Sequence, residues 1–336
     1  MKVLVIGAGS IGSRHAEILK NSVETAVVEP RDDLRHKFET SSGLKTFSSV
    51  AEARNWLPDG VIVAVPTDKH EAVIRELACF HGPLMIEKPL AATRTSVSNI
   101  MKIVQNRPTP TFVMANMRCH IGPRMLKENI GKIGKVFSAY SNFGSYLPDM
   151  RLGIDYRSIY ASSREKGGGV LLDCIHEFDY LNWILGASTL RVAALSRISD
   201  LKIDVEDHAT VVLSHVSGAI STVELDYLQR VKLRGCRLSG HEGTLIWQSL
   251  GKKPENIKIT LLKSGSQIPD VLFEGGYDLN TAYESYLAEY LKVIGGKSSS
   301  VLLSADEAAK ESNLLFDILD ANCVRAGTQK LQENKT

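Results

Sequence analysis

Hydrophobic and polar residues follow two different patterns along this chain. In the first third, short and continuously apolar segments alternate with longer amphipathic stretches. The apolar segments lie at residues 2–6, 25–28, 61–65, 84–86 and 111–114. Continuously apolar strands are typical of parallel sheets that are covered on both faces. Their alternation with helices, such as those expected at 13–20 and 95–106, predicts a doubly wound parallel sheet.

The pattern changes after Arg118. Alternating apolar and polar residues predict strands at 135–143, 191–196, 208–215, 219–228, 234–239, 243–248 and 257–262. Such strands form a largely antiparallel sheet with one covered face. Helical periodicity predicts helices at 124–129, 170–185, 281–294 and 305–322. We therefore predict an α/β fold, with the parallel sheet in residues 1–118 and an open α+β domain in residues 119–330. The pattern leaves open whether the C-terminal helices pack back on the first domain.

Composition narrows the classes of partner. The 336 residues carry 40 basic and 38 acidic side chains, a formal charge of +2. Such a balance argues against a protein that neutralises nucleic acid or an anionic membrane. No segment approaches the roughly 18 uninterrupted apolar residues of a membrane helix. The five cysteines include no Cys-x-x-Cys pair, which favours a reducing, cytoplasmic compartment. The histidines lack metal-ligand spacing, so we predict no metal.

The first apolar segment ends in a glycine-rich turn, Gly7-Ala8-Gly9-Ser10-Ile11-Gly12. A G-x-G-x-x-G pattern between a strand and a helix is typical of Rossmann domains that bind dinucleotides. Gly7 allows the tight turn, Gly9 lets the backbone approach a pyrophosphate, and Gly12 lets helix and strand pack closely. We expect the cofactor to be bound at this turn, with its phosphates at the helix N-terminus. The expected contacts are Gly7, Gly9, Ser10, Ile11 and Gly12.

The second apolar segment ends at Glu29, seventeen residues after Gly12. An acid at about this distance binds the adenine ribose hydroxyls and repels a 2′-phosphate, which favours NAD. Arg31 follows two residues later, and its guanidinium group could hold a 2′-phosphate. We predict NAD as the cofactor and keep NADP as the alternative.

Further polar residues follow the later apolar segments. Ligands of doubly wound sheets bind beyond the carboxyl ends of the strands, so residues at these ends should converge on one crevice. The residues at such ends are Thr67, His70, Lys88, Asn116 and Arg118.

The predicted helix 170–185 concentrates acids and bases. Asp173, His176 and Asp179 are spaced by three residues and would share one helix face. Two carboxylates beside an imidazole favour its charged form and fix its tautomer, as a proton-transfer residue requires. The alternative is a helix in which His176 only packs at an interface.

A long loop, residues 144–166, precedes this helix and is rich in tyrosine and arginine. Loops of this length in compact domains are usually lids or binding loops. Tyrosines can stack on a sugar or base, and arginines can hold a phosphate or carboxylate. The predicted substrate contacts are Tyr146, Tyr156, Arg157 and Tyr160 in the loop, with Arg118, Tyr227 and Arg230 outside it.

In combination, these motifs resemble the Gfo/Idh/MocA family of nicotinamide-dependent oxidoreductases. The matching features are the glycine turn with Arg14-His15-Ala16, Pro66-Thr67 followed by His70, Glu87-Lys88-Pro89, and Gly167-Gly168-Gly169 leading to Asp173, His176 and Asp179. The resemblance implies a Rossmann domain and an open α/β domain whose sheet often forms the interface of a homodimer or homotetramer.

The resemblance also implies roles for individual residues. Lys88 matches the family's lysine near the nicotinamide and the reacting hydroxyl, and His176 matches its acid/base histidine. Many members place the partner aspartate four residues before this histidine, whereas Asp173 is three before it. The partner is therefore either Asp173 or Asp179. The expected cofactor contacts beyond the glycine turn, Glu29 and Arg31 are Pro66, Thr67, His70, Glu87, Lys88 and Asn116.

The implied function is hydride transfer between a nicotinamide cofactor and a carbinol or keto carbon of a sugar. The stretches 144–148 and 155–157 look like members linked with bacterial surface glycans, which points to an amino sugar or a nucleotide-linked sugar. Two other classes stay open, namely a glycosidase that oxidises its substrate transiently with bound NAD, and a dinucleotide-binding regulator. Lys88 and His176 argue against the regulator but not against the glycosidase.

Overall fold

The computed structural model describes residues 1–151, 153–251 and 254–333, with side chains as far as Asn322. Its contacts divide the chain into two compact units. The first unit is Met1–Asn116 with Tyr283–Ser312, and the second is Met117–Ala282 with the chain from Asn313 onward.

The first unit begins with strands and helices in alternation. Its elements are β1 (Lys2–Ile6), α1 (Ser10–Leu19), β2 (Glu24–Val28), α2 (Asp32–Ser42), β3 (Lys45–Phe47), α3 (Val50–Ala53), β4 (Gly60–Val63), α4 (His70–Glu76), β5 (Leu84–Ile86), α5 (Arg94–Val104) and β6 (Thr111–Val113). These strands pair in parallel in the order β6-β5-β4-β1-β2-β3. The predicted doubly wound sheet is therefore confirmed, although the pattern missed the short strand β3.

The second unit is dominated by one large sheet. Its elements are α6 (Ile121–Asn129), β7 (Val136–Gly144), α7 (Val170–Asp173), α8 (His176–Leu185), β8 (Ser188–Ser196), β9 (His208–His215), β10 (Ile220–Asp226), β11 (Leu233–Gly240), β12 (Gly243–Leu250), β13 (Glu255–Lys263) and β14 (Asp270–Tyr277). The strand order is β14-β13-β12-β11-β7-β10-β9-β8, antiparallel except for the parallel pair β7 and β10. The predicted, largely antiparallel sheet is confirmed, and β14 is an additional edge strand.

Three further elements complete the chain, α9 (Asn280–Ile294), β15 (Leu303–Ser304) and α10 (Ala305–Glu333). β15 pairs antiparallel with β6 and becomes the seventh strand of the first sheet. The Tyr286 hydroxyl of α9 donates a hydrogen bond to the Val113 carbonyl at 2.7 Å, and the Tyr290 hydroxyl to the Pro83 carbonyl at 2.7 Å. These contacts hold α9 on the first sheet. Helix α10 extends eleven residues beyond the predicted end at residue 322.

Burial follows the expected faces within each unit. The central strands of the first sheet are buried throughout, as the run from Val3 to Ile6 shows. In the second unit, α6, α7 and α8 pack on one face of the sheet, where Trp247 and Phe178 are fully buried. No helix in the described part of the chain is long and apolar enough to span a membrane.

The predicted helix 170–185 is wrong as a single element. Helix α7 ends at Asp173, Cys174 and Ile175 form a turn, and α8 starts at His176 and ends before Gly186. Cys174 has φ −97° and ψ 30°, which is outside helical geometry. The three-residue spacing of Asp173 and His176 therefore does not place them on one face of a continuous helix.

Candidate active site

The glycine turn has the tight geometry that its sequence predicts. Gly7 has φ +106°, and a Cβ there would lie 2.6 Å from the Ala64 carbonyl oxygen. A Cβ at Gly12 would lie 1.9 Å from the Gly7 carbonyl oxygen, so neither position accommodates a side chain. A Cβ at Gly9 would meet no atom within 4 Å. Gly9 is therefore the position at which the turn borders open space.

Helix α1 begins at Ser10, three residues earlier than predicted, and Gly9 is its N-cap. No side chain caps this end, and its first turn contains no acidic residue. The first intrahelical hydrogen bond runs from the Ser13 amide to the Gly9 carbonyl at 2.9 Å. The preceding amides, including that of Ile11, have no intrahelical partner and form the positive end of the helix dipole. These residues fit a pyrophosphate group.

Glu29 follows β2 and is almost completely buried, with 2% of its surface exposed. Its carboxylate accepts hydrogen bonds from the Ala8 amide at 3.0 Å and from the Arg31 Nε at 2.8 Å. Burial opposes ionisation of Glu29, but the hydrogen bonds from Arg31 and Ala8 outweigh it and lower its pKa. Arg31 pairs with Glu29 while its own side chain remains 62% exposed.

The loops after β4, β5 and β6 lie side by side, because these strands are neighbours in the sheet. Pro66 and Thr67 start a 3-10 helix after β4. His70 is fully buried, with its ring nitrogens 3.2 Å from the Leu90 carbonyl oxygen and 3.1 Å from that of Val65. Burial lowers the pKa of His70. The enclosed ring lies between the two loops, and its contact with a cofactor stays a prediction.

Glu87 and Lys88 follow β5, and Asn116 follows β6. The Glu87 carboxylate accepts a hydrogen bond from the Lys88 amide at 3.1 Å, and the Lys88 side chain is half-buried. Asn116 is 2% exposed, and its Oδ1 has no hydrogen-bond partner among the described residues. A buried amide oxygen without a partner calls for a donor from outside the protein. Together with the open turn at Gly9, this oxygen supports a fit for a dinucleotide.

The second unit contains a carboxylate held by two tyrosines. Asp173 accepts a hydrogen bond from the Tyr160 hydroxyl on one oxygen and from the Tyr227 hydroxyl on the other, the latter at 3.4 Å. Tyr227 is fully buried. Its pKa is raised well above the usual value by burial and by the charge of Asp173. Tyr160 and Tyr227, both predicted to contact substrate, are thus joined to the aspartate that the resemblance implicates in catalysis.

Two buried ion pairs anchor the first turn of helix α8. The Arg234 guanidinium on β11 binds the Glu177 carboxylate at 2.7 and 3.2 Å. Arg118 binds Asp179 Oδ1 through Nε at 2.9 Å and Nη2 at 2.8 Å. Arg118 therefore belongs to the second unit and uses its guanidinium inside it. The prediction that Arg118 contacts substrate, and that Asp179 partners His176, stays a prediction.

Sequence reasoning missed Glu177 and Arg234. A signal was present, because Arg234 alternates with Cys236 and Leu238, both buried on the covered face of β11. A charged residue at such a position needs a buried partner. The partner lies 57 residues away in sequence, so no local motif could identify it.

Several predicted substrate residues of the long loop lie on its surface. Arg157 is 62% exposed and pairs with Asp155 at 2.6 Å. The Tyr156 hydroxyl accepts a hydrogen bond from the Lys202 amide at 3.2 Å. The Arg230 guanidinium stacks 3.7 Å above the ring of Tyr146, joining the loops that follow the parallel strands β7 and β10.

Residues 1–114 match the model of an oxidoreductase family with an NAD-binding Rossmann fold, and residues 127–246 match the GFO/IDH/MocA C-terminal domain. The chain belongs to the Gfo/Idh/MocA family of oxidoreductases. The family resemblance inferred from the sequence is therefore confirmed.

Relatives within this family include inositol dehydrogenases. The chain is 28% identical to a myo-inositol 2-dehydrogenase of Thermotoga maritima over 70% of its length and 73% of the relative. It is 24% identical to an inositol 2-dehydrogenase of Rhizobium meliloti, over 69% of its length and 72% of the relative. The fold also matches the WlbA dehydrogenase of Bordetella pertussis, solved with NADH and UDP-GlcNAcA, with a TM-score of 0.78, 17% identity, and 96% of each chain covered.

Proposed function

We propose that this Gfo/Idh/MocA oxidoreductase is a dehydrogenase that transfers a hydride between NAD and a secondary alcohol carbon of a sugar or cyclic polyol. The observation that carries this proposal is the glycine turn with its uncapped helix start beside the buried Glu29. The similarity to inositol dehydrogenases supports the substrate class.

The preference for NAD rests on the charges after β2. Glu29 and the first turn of α2, with Asp32 and Asp33, contribute three acidic groups. Arg31 and Arg35 contribute two basic groups, and these are paired with Glu29 and Asp32. A 2′-phosphate bound to Arg31 would therefore meet a net negative surrounding. We expect kcat/KM to be at least about tenfold higher with NAD than with NADP, and the reverse order would contradict this assignment.

The proposed chemistry assigns separate tasks to His176 and Lys88. A bound nicotinamide ring would supply the acceptor for a hydride from an alcohol carbon, or the donor of a hydride to a carbonyl carbon. His176 removes the hydroxyl proton as the general base. The ammonium group of Lys88 stabilises the substrate oxygen as negative charge develops on it. Asp173, whose two oxygens are held by Tyr160 and Tyr227, orients the imidazole.

The test combines a substrate panel with two variants. The purified protein is mixed with NAD and with myo-inositol, D-apiose or UDP-N-acetylglucosamine, and formation of NADH is followed by absorbance. Lys88→Met and His176→Asn should each lower kcat by about 10²–10⁴-fold, while the dinucleotide Kd changes little. Lys69→Met and His36→Asn, at exposed positions, are the matched controls.

Each outcome has a defined meaning. Release of N-acetylglucosamine from the UDP-sugar without net NADH would identify the glycosidase, and dinucleotide binding without either product across the panel would favour the regulator. Full turnover of the Lys88→Met enzyme would contradict the role proposed for Lys88.

We also propose a homodimer or homotetramer through the second sheet. The sheet face opposite α6 and α8 carries partly exposed apolar residues on five strands. These residues are Tyr140, Val192, Val212, Ile220 and Ile246. Light scattering after size exclusion should give a dimer or tetramer mass, and Val212→Glu should shift it towards the monomer.

A further inference from the structure

One buried histidine next to the Lys88 loop has no part in the proposed chemistry. His15 lies on α1, and its side chain is fully buried. The other buried residues of this helix are Gly12, Ala16 and Leu19, which are small or apolar. An imidazole on such a face requires a polar partner, because an unpaired buried donor is costly.

Glu87 provides that partner, and its carboxylate also binds the backbone of Lys88. His15 Nε2 lies 2.6 Å from Glu87 Oε1. The other oxygen, Oε2, accepts the hydrogen bond from the Lys88 amide at 3.1 Å. The Glu87 amide itself donates to the Val63 carbonyl of β4 at 2.9 Å. The Glu87 carboxylate therefore connects α1 to the peptide unit from which the Lys88 side chain starts.

The surroundings of His15 select one proton arrangement. A carboxylate only accepts hydrogen bonds, so the proton must reside on Nε2. His15 Nδ1 is buried without a hydrogen-bond partner among the described residues, and in the neutral ring this atom is an acceptor with no N–H to satisfy. The ring also packs against Tyr283 at a centroid distance of 5.9 Å, and the Arg14 guanidinium lies 4.9 Å from the same Tyr283 ring.

We propose that His15 is a positioning residue for Lys88 and acts through Glu87. The inference rests on the function proposed for Lys88. Helix α1 presents its N-terminal amides to the dinucleotide site and, five residues after Ser10, its His15 imidazole to Glu87. One helix thus fixes both the phosphate site and the backbone of Lys88. Loss of the Nε2–H donor frees Glu87 to turn away from the Lys88 amide.

Three variants separate this role from simple packing. His15→Met keeps the volume and removes the donor. His15→Gln retains a donor, because its amide nitrogen takes the position of Nε2. Leu19→Val changes the packing of the same buried helix face without a contact to Glu87, and is the control for lost stability.

Two measurements are made on each variant. The first is hydrogen exchange of the Lys88 amide, which needs no substrate. The second compares the effect of each substitution on kcat with its effect on the dinucleotide Kd. In His15→Met, we expect exchange at Lys88 to be at least about tenfold faster. We expect kcat to fall by about 10- to 100-fold, with Kd within about threefold of the parent. His15→Gln should restore both, and Leu19→Val should leave both unchanged.

The proposal fails if His15→Met and His15→Gln behave alike, or if Lys88 amide exchange does not change in His15→Met. If His15→Met does not fold, His15→Asn replaces it, because its shorter amide does not reach Glu87. Should the parent protein oxidise no member of the substrate panel, the proposed function fails. The exchange experiment still decides whether His15 controls the Lys88 backbone.

Discussion

The two units hold their chemical groups by different means. In the first unit, the cofactor residues lie on loops after parallel strands and depend on backbone geometry, as at Gly7 and Gly12. In the second unit, the implicated residues lie on α7 and α8, and buried charges such as Glu177 and Arg234 anchor them. The difference shows that a site formed by backbone groups needs glycine at fixed positions. A site formed by side chains needs charged partners that are distant in the sequence.

The largest effect should come from breaking a buried ion pair of the second unit. Arg234→Met leaves the Glu177 carboxylate buried without its partner, and we expect a loss of about 3–5 kcal/mol in the free energy of unfolding. Urea denaturation measures this loss. The exposed pair Lys258–Glu274 is the matched control, since Lys258→Met should cost less than about 1 kcal/mol. Equal effects would show that the buried pair is not an anchor.

In the first unit, two glycine variants should separate the turn from the ligand site. Gly12→Ala places a Cβ 1.9 Å from the Gly7 carbonyl oxygen, so it should lower both the melting temperature and the dinucleotide affinity. We expect the affinity to fall by about 100-fold, or about 2.7 kcal/mol. Gly9→Ala meets no protein atom within 4 Å and should weaken only dinucleotide binding, as measured by calorimetry. A normal affinity in Gly9→Ala would contradict the phosphate position.

A smaller effect is expected from pH, again mainly in the second unit. Burial lowers the pKa of His70 in the first unit, and of His120 and His215 in the second, below the ordinary value of 6.5. Between about pH 7 and pH 5 the unfolded chain therefore binds more protons on these residues than the folded chain, and stability falls as the pH is lowered.

Urea titrations across this range should show the decline, and His120→Gln should reduce its slope. Glu255 beside His120 does not contribute in this window. Burial works against its ionisation, but the His120 ring, with Nε2 3.4 Å away, and the hydrogen-bonded Lys232 ammonium group keep its pKa far below the usual value. A stability that rises as the pH falls towards 5 would contradict the burial of these imidazoles.

The smallest effect concerns the tyrosines around Asp173. Tyr227→Phe removes a hydrogen bond of 3.4 Å, and we expect kcat to fall by about three- to tenfold, close to 1 kcal/mol. Tyr160→Phe removes the closer contact and should have the larger effect. Steady-state kinetics with the substrate identified in the panel provides the comparison. A larger loss of kcat in Tyr227→Phe than in Tyr160→Phe would contradict this prediction.

The sequence predicted the features that depend on local chemistry. The glycine turn and Glu29 occupy the places that their motif requires, because backbone conformation and strand order determine them. The large antiparallel sheet was visible in the alternation of residues such as those of β9, His208–His215. Family membership followed from the order of the motifs.

The remaining features depend on contacts between distant residues. The pairing of Arg234 with Glu177 and the two hydroxyls on Asp173 join elements far apart in sequence. Leu172, Cys174 and Ile175 are all buried, so the positions around the turn carry apolar residues just as the helices do. The helical periodicity of the sequence therefore continues through Cys174. The pattern therefore could not show the interruption between α7 and α8. The hydroxyl partner of Tyr227 could not be known from the sequence, and its contact with substrate stays a prediction.

The interruption at Cys174 and Ile175 has an evolutionary consequence. In an unbroken helix, one inserted residue would rotate everything beyond it by about 100°. A short turn between two helices can accommodate such an insertion by changing its own backbone conformation. The three-residue spacing of Asp173 and His176, and the four-residue spacing that the resemblance implies for many family members, can thus both leave the helices on either side packed on the sheet. We therefore expect one residue inserted after Cys174 to be tolerated better than one inserted within α8.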